Sequence, residues 1–179
     1  MPSLSSDPWD CLYNGMLPFH ENFRHTISQI SALLTTLSPT SNSKSKPQNL
    51  ANLVYLSSTL CHHLEIHHTI EERFVFPILA KKLPQFGNSS QHTNEHVQMH
   101  EALHKLEAYV DEITKALKGG KLKKPQDVDE AFDYGKMSKL VEDVEKVLLP
   151  HLEAEEASLR APVVKQAGFQ LNEIKNLIR

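Results

Sequence analysis

The chain has 179 residues, a length that fits one compact domain and leaves little room for two independent cores. Hydrophobic residues make up 40% of the sequence and charged residues 23%, proportions that exclude a disordered chain and a fibrous repeat. The formal net charge of -3 argues against a dedicated nucleic-acid binder and against a polybasic membrane-surface protein. We therefore expect neither nucleic acid nor a membrane as a partner.

The chain contains 11 histidines but only six glycines, and this excess of histidine is its most unusual compositional feature. Histidine is the commonest metal ligand in proteins. The two cysteines, Cys11 and Cys61, are far apart in the sequence, which excludes a disulfide scaffold and a cysteine zinc site. The first ten residues lack the basic and apolar regions of a secretory signal, and no long apolar run occurs. We expect a cytoplasmic protein without a membrane span.

Apolar residues recur at spacings of three and four through most of the chain, and no segment alternates as a half-buried strand does. Segments that combine Pro or Gly with small polar residues or lysine interrupt this pattern at 38–47, 83–90, 118–125 and 161–162. The intervening segments predict helices at 15–37, 48–82, 92–118 and 127–160, followed by a short helix at 169–178. A capping box of Asp127 with Glu130 is expected to open the fourth helix.

Four amphipathic helices joined by short loops predict an all-α, up-and-down four-helix bundle. We expect an N-terminal segment at 1–14, the bundle at 15–160, and a C-terminal tail or short helix at 161–179. In such a bundle, functional side chains project from facing helices into the core.

Every predicted helix carries potential metal ligands on its apolar rows. These residues are His20 in the first helix, His67 and Glu71 in the second, His96 and His100 in the third, and His151 and Glu155 in the fourth. The same rows of the second helix place Phe74 and Ile78 inward. The pairs at i and i+4 set two ligands on one helical face, close enough to share a metal or to bridge two.

A core that contains two glutamates and five histidines needs a compensating partner, because burying an unpaired carboxylate is unfavourable. No lysine or arginine lies on the apolar rows to supply one. A pair of metal ions would neutralise the carboxylates, and imidazole with carboxylate suits iron, manganese or zinc. The sequence therefore predicts a metal site in the bundle core.

Four segments of the chain resemble the HHE cation-binding branch of the hemerythrin family. They are FHENFR around His20, HHTIEERFVFPIL from His67, EHVQMHEALHKLE around His96, and PHLEAEE from His151. The resemblance implies a four-helix bundle that holds two non-haem iron ions. By the family pattern, one iron would take His96, His100 and His151, and the other would take His20 and His67. Glu71 and a carboxylate of the fourth helix would bridge the two ions.

Two assignments stay open in the sequence. The helical face favours Glu155, four residues after His151, whereas the spacing in the oxygen carriers favours Glu156, so both are candidate ligands. His63 is the alternative to His67. The remaining histidines lie off the apolar rows or at a helix end and are expected at the surface, namely His25, His62, His68, His92 and His104. Of these, His92 and His104 continue the series at steps of four that contains His96 and His100, so a contact with a metal-binding histidine is the alternative for them.

The resemblance implies that one iron keeps a coordination position for dioxygen, peroxide or water. We expect a di-iron oxidoreductase that acts on dioxygen or peroxide, either oxidising a small-molecule substrate or removing peroxide. Glutamate in place of aspartate on the fourth helix favours this interpretation. The alternative is a non-enzymatic dioxygen carrier or an iron storage or sensing protein. A metal-free bundle with a pH-sensitive histidine core is a third hypothesis. Two iron ions are the expected cofactors, with manganese or zinc as substitutes.

Overall fold

The computed structural model describes residues 4–178. Residues 1–3 and 179, which belong to the predicted N-terminal segment and C-terminal tail, lie outside the described residues. Within 4–178 every regular element is a helix and no strand occurs, which confirms the all-α prediction. No helix in this range is both long enough and apolar enough to cross a membrane.

The α-helices are α1 (Cys11–Thr36), α2 (Lys46–Ile70), α3 (Phe76–Leu79), α4 (Gln91–Lys118), α5 (Pro125–Ala131), α6 (Tyr134–Ser158), α7 (Ala161–Gln166) and α8 (Leu171–Lys175). A π-helix, Glu71–Val75, joins α2 to α3. Turns of 3-10 helix lie at Pro8–Asp10, Pro84–Phe86 and Asn176–Ile178. The long helices α1, α2, α4 and α6 correspond to the four predicted segments, and α8 corresponds to the predicted short helix.

The predicted helix at 127–160 is wrong in one respect, because the chain breaks between α5 and α6. The N–H of Asp133 donates to the Tyr109 hydroxyl at 2.9 Å, and that hydroxyl lies 3.3 Å from the Asp133 carbonyl oxygen. The N-cap assignment also fails, since the helix begins at Pro125 and Asp127 lies in its first turn. The Asp127 carboxylate accepts the N–H groups of the two preceding lysines instead of pairing with Glu130.

The chain forms two compact units. The first contains Met1–Arg24, Ile66–Gln98 and Val147–Arg179, and the second contains His25–Glu65 and Met99–Lys146. The long helices pass from one unit into the other, so each unit holds a segment of α1, α2, α4 and α6.

A cluster of buried apolar side chains forms the core of the first unit. It consists of Leu12, Tyr13, Leu17, Phe76, Leu79, Leu83, Phe86, Leu159, Val164, Phe169 and Ile174. The buried Asp10 carboxylate accepts the N–H of Ala161 at 2.6 Å and joins the start of α1 to α7. The ammonium of Lys82 donates to the Gly168 carbonyl at 3.0 Å and pairs with Glu173 at 2.8 Å, which holds α8.

The second unit has an apolar core and one buried cation. Ile30, Leu50 and Leu106 are completely buried there. Lys46 is only 1% exposed, and its ammonium contacts the Ser38 carbonyl at 3.3 Å and pairs with the Asp129 carboxylate. These contacts join the segment before α2 to α5.

Candidate metal centre

The π-helix decides which side chains of the second predicted helix point inward. The N–H of Phe76 donates to the carbonyl of Glu71, five residues earlier, so this turn holds one residue more than an α-helical turn. The extra residue rotates the downstream face. Phe76 and Leu79 are buried, whereas Phe74 is 65% exposed and Ile78 37% exposed, so the inward prediction for the last two is wrong.

The first ligand group consists of His20, His67, Glu71 and Glu155, with one ligand atom of each lying within 4.8 Å of the others. His20 comes from α1, and Glu155 comes from α6. His67 lies in the last turn of α2, and Glu71 opens the π-helix. The side chains of His20 and Glu155 have no exposed surface, and that of His67 is 10% exposed. The structure thus brings together four of the candidates named from the sequence.

The second ligand group consists of His68, His96 and His151, again with ligand atoms within 4.8 Å of one another. The rings of His68 and His96 stack with centroids 3.9 Å apart, and His151 stands edge-on to His96 at 4.8 Å. His100 is half-buried, lies in the second unit and belongs to no ligand group among residues 4–178. His68, rather than His100, completes this set.

The Glu71 carboxylate faces both ligand groups. Its Oε1 lies 2.9 Å from Nε2 of His67 in the first group, and its Oε2 lies 3.5 Å from Nε2 of His96 in the second. Both oxygens are buried and make no hydrogen bond of normal geometry. The side chain is therefore arranged as a bridge between the groups.

Glu155 also faces both groups, through a single oxygen. Its Oε2 lies 3.5 Å from Nε2 of His20 and 3.7 Å from Nε2 of His151. These two nitrogens and both Glu155 oxygens are buried without a hydrogen-bond partner. Buried polar atoms are almost always hydrogen-bonded, so convergent buried atoms without protein partners are suited to hold a bound ion. Nitrogen and carboxylate oxygen donors around two adjoining positions fit a pair of transition-metal ions.

Carboxylates outside the two groups contact the opposite nitrogen of three histidines. The Nδ1 atoms of His20, His96 and His151 lie 2.9 Å from Glu156, 2.8 Å from Glu72 and 2.9 Å from Glu95, respectively. An ionised carboxylate only accepts, so each Nδ1 donates to it, and this contact turns the Nε2 atom of each ring toward the ligand groups. This arrangement is common around metal-bound histidines.

The two open candidates on α6 have different surroundings. Glu155 belongs to the first ligand group, whereas Glu156 belongs to none within the described chain. Glu156 Oε1 accepts from Arg24 at 2.8 Å as well as from the Nδ1 of His20. The geometry gives Glu156 the role of holding the His20 ring.

The third ligand group consists of His92, Glu95 and His151, and it shares His151 with the second group. His92 is completely buried, so its predicted surface position is wrong. Its Nδ1 lies 3.1 Å from the same Glu95 oxygen that contacts His151, and its Nε2 lies 3.1 Å from the Ser158 hydroxyl. His92 therefore helps to fix the carboxylate that orients His151.

His68 is the main residue that the sequence interpretation missed, because its surface position was predicted and it is completely buried. A signal was present in the sequence. Val54, Cys61 and His68 follow one another at steps of seven, and all three are buried. The surface prediction is confirmed for His25, His62 and His104, and His63 is also exposed.

The charges in the first ligand group are unevenly distributed. Burial, together with the negative charge of Glu155, raises the pKa of Glu71 well above its ordinary value. Burial also acts to raise the pKa of Glu155, but the contact with His20 and the positive charges of the protonated His20 and His151 rings outweigh it and hold this pKa at about 2. Burial lowers the pKa of His67 to about 4, so its imidazole is neutral at pH 7 and its lone pair is available. A bound cation would relieve the repulsion between the two carboxylates.

A comparison with protein families gives one match over most of the chain. The family model described as the hemerythrin HHE cation-binding domain matches residues 11–160. Curated proteins and solved structures give no match.

Proposed function

The chain belongs to the hemerythrin HHE cation-binding family, and from this membership and the two adjoining ligand groups we propose that it binds two iron ions and acts on dioxygen or peroxide. One observation carries the proposal. Glu71 and Glu155 each face a histidine of both groups, as bridging carboxylates do. Imidazole and carboxylate ligands suit iron, with manganese and zinc as chemically acceptable substitutes.

In this proposal one ion would be held by His20 and His67, and the other by His68, His96 and His151. Glu71 and Glu155 would contribute oxygens to both. The first ion would have fewer histidine ligands than the second, which would leave room for a small molecule. His100 is not a ligand in this set, and Glu156 supports His20 from outside it.

When bound, a pair of ferrous ions supplies electrons for the reduction of dioxygen or peroxide. The residues of the chain determine where that chemistry takes place. Phe19 and Phe23 pack against the His67 ring, with centroid distances of 5.8 and 5.1 Å, and limit the access of water on that side. Glu156 holds the Nδ1 proton of His20, with Arg24 fixing the carboxylate.

The proposed activity is that of an oxidoreductase, because two glutamates that share one buried site favour the oxidised, more highly charged state of the metals. A non-enzymatic dioxygen carrier, or an iron store or sensor, is the second candidate. The five imidazoles favour it, since neutral ligands leave a ferrous pair cationic overall and stabilise the reduced state. The small-molecule substrate and the cytoplasmic location stay predictions.

Metal analysis of protein purified anaerobically with ample iron tests the proposal. We expect about two iron ions per chain, a much lower content in His67→Ala, and an unchanged content in His63→Ala, whose exposed ring is the matched control. A chain without metal, or equal losses in both variants, would contradict it.

Exposure of the reduced protein to air then separates the two candidate functions. An enzyme consumes dioxygen or peroxide continuously when a reductant is supplied, and its optical spectrum keeps changing. A carrier takes up dioxygen once and returns it on degassing, with full recovery of the starting spectrum.

A further inference from the structure

We propose that a cleft beside α3 and the first turns of α4 binds a small ligand that combines a cationic group with an apolar body. The cleft lies within the first unit and has a volume of about 460 Å³. Cavities of this size accommodate small organic molecules. The inference rests on the cleft itself, so it holds whether or not the metal proposal is correct.

The inner part of the cleft is apolar. Phe76 and Phe86 form its floor, with ring centroids 5.1 Å apart in an edge-to-face arrangement. Pro77 and Ala80 line it on the side of α3, and Val97, which is 58% exposed, lines it on the side of α4. These surfaces suit an aliphatic or aromatic body.

Glu72 is the only charged residue among the described residues that line the cleft. Its side chain is 43% exposed, and its Oε1 contacts the Nδ1 of His96 at 2.8 Å. The other oxygen, Oε2, makes no hydrogen bond or ion pair with the described chain. A carboxylate oxygen at the edge of an apolar cleft, with no lysine or arginine beside it in the lining, attracts a cation rather than an anion.

The polar rim of the cleft is fixed by its own hydrogen bonds. Ser89 lies on this rim with φ of 57°, a left-handed conformation that is uncommon for a residue other than glycine. The Ser90 hydroxyl donates toward the carbonyl oxygens of Gln85 and Gly87, and Thr93 lies 3.1 Å from the Gly87 carbonyl. A rim held in this way loses little conformational freedom when a ligand binds.

A ligand that reaches Glu72 would share this carboxylate with His96 of the second ligand group. A primary amine or a similar cation on a body of about one aromatic ring matches the single charge and the apolar surfaces. Benzylammonium is therefore a suitable probe, and benzyl alcohol, of the same size but without charge, is its matched control.

Titration calorimetry and amide NMR with both probes test the proposal. We expect benzylammonium to bind the native chain about tenfold more tightly than benzyl alcohol, because a charge-assisted hydrogen bond is added. The amide shifts should concentrate at Ser89, Thr93 and Val97. Glu72→Gln, which keeps an oxygen for His96, should reduce the preference for benzylammonium to within about twofold.

Two further variants complete the test. Val97→Ala should weaken both probes about equally, since it removes only apolar surface. Glu101→Gln removes an exposed carboxylate outside the cleft and should change neither affinity. Equal affinities of the two probes in the native chain, a full preference that survives Glu72→Gln, or shifts confined to other surfaces would each overturn the proposal. The same titrations are repeated on metal-free protein. A preference for benzylammonium that persists there would show that binding in the cleft does not depend on bound metal.

Discussion

Three carboxylates, Glu72, Glu95 and Glu156, contact the Nδ1 atoms of His96, His151 and His20, respectively. These contacts fix the rotation of each ring, so that its Nε2 atom already faces the ligand groups before a metal binds. Loss of such a support typically lowers metal affinity about 10- to 100-fold without removing a ligand. The proposed ligand set therefore depends on residues that never touch the metals.

Glu156→Ala tests this dependence. We expect it to lower the affinity for iron about 10- to 100-fold while the number of ions bound at saturation stays the same. Competition with a chelator of known affinity measures the effect. Glu153→Ala, which removes an exposed carboxylate from the same helix, is the control, and an equal loss in both variants would remove the argument.

His68 and His100 provide a second test of the ligand set. His68→Ala should lower the iron content sharply, because the ring is completely buried among the proposed ligands. His100→Ala should leave the iron content near that of the native chain. Iron analysis of the two purified variants distinguishes the sets, and the opposite result would restore the ligands implied by the family pattern.

Cys61 should be chemically inert in the folded chain. Burial raises the pKa of its thiol to about 12, and its Sγ lies 3.9 Å from the Leu103 carbonyl oxygen. The thiolate is the reactive form, so iodoacetamide at about pH 8 should modify Cys61 only after unfolding. Cys11 is half-buried, and burial raises its pKa as well, so it should react slowly but before Cys61. Mass spectrometry of native and denatured samples measures both rates, and fast native labelling of Cys61 would contradict the buried position.

The spacing of the apolar residues is sufficient to predict the helices α1, α2, α4 and α6. The interruptions were harder to predict. The apolar pattern continues through the π-helix without any local sign of the extra residue, so the pattern wrongly predicts that Phe74 and Ile78 point inward. The break between α5 and α6 depends on Tyr109, which lies 24 residues from Asp133 and is invisible to local patterns.

The apolar rows also predict most of the candidate site, but not all of it. His20, His67 and Glu71 follow from their apolar rows, as do the other predicted members of the groups in α4 and α6. His68 did not, because two adjacent histidines cannot both lie on a single row. Both are accommodated here because His67 belongs to the first ligand group and His68 to the second. The sequence does not predict the roles of Glu72 and Glu95, because a partly exposed glutamate on a helix gives no local indication of the residue that it contacts.

Asp129→Asn tests the connection between the segment before α2 and α5. It would leave the buried ammonium of Lys46 without an anionic partner in the described chain, with only the Ser38 carbonyl and the amide oxygen of the substituted side chain to accept its hydrogen bonds. We expect a loss of about 1–3 kcal/mol in the free energy of unfolding. Asp143→Asn, which breaks the exposed pair with Lys139, should cost less than about 0.5 kcal/mol. Urea unfolding of both variants gives the comparison, and equal effects would show that Lys46 is less dependent on its partner than its burial implies.

The proposed metals would also stabilise the folded chain as a whole. A ligand that binds only the folded chain adds about 2.7 kcal/mol per site at a free concentration about 100-fold above its Kd. Removal of the metals with a chelator should therefore lower the melting temperature, and added iron should restore it. Calorimetry of the two forms measures the shift. An unchanged melting temperature would contradict the proposed role of Glu71 and Glu155.

The separation of the ligands along the chain has a consequence for biosynthesis. His20 and the carboxylate that holds it are 136 positions apart, and each ligand group includes a residue from α6. A nascent chain that has not yet exposed α6 outside the ribosome therefore lacks a complete ligand group. Iron loading is expected to wait until α6 has emerged, so the metal must reach a chain in which all four long helices are outside the ribosome.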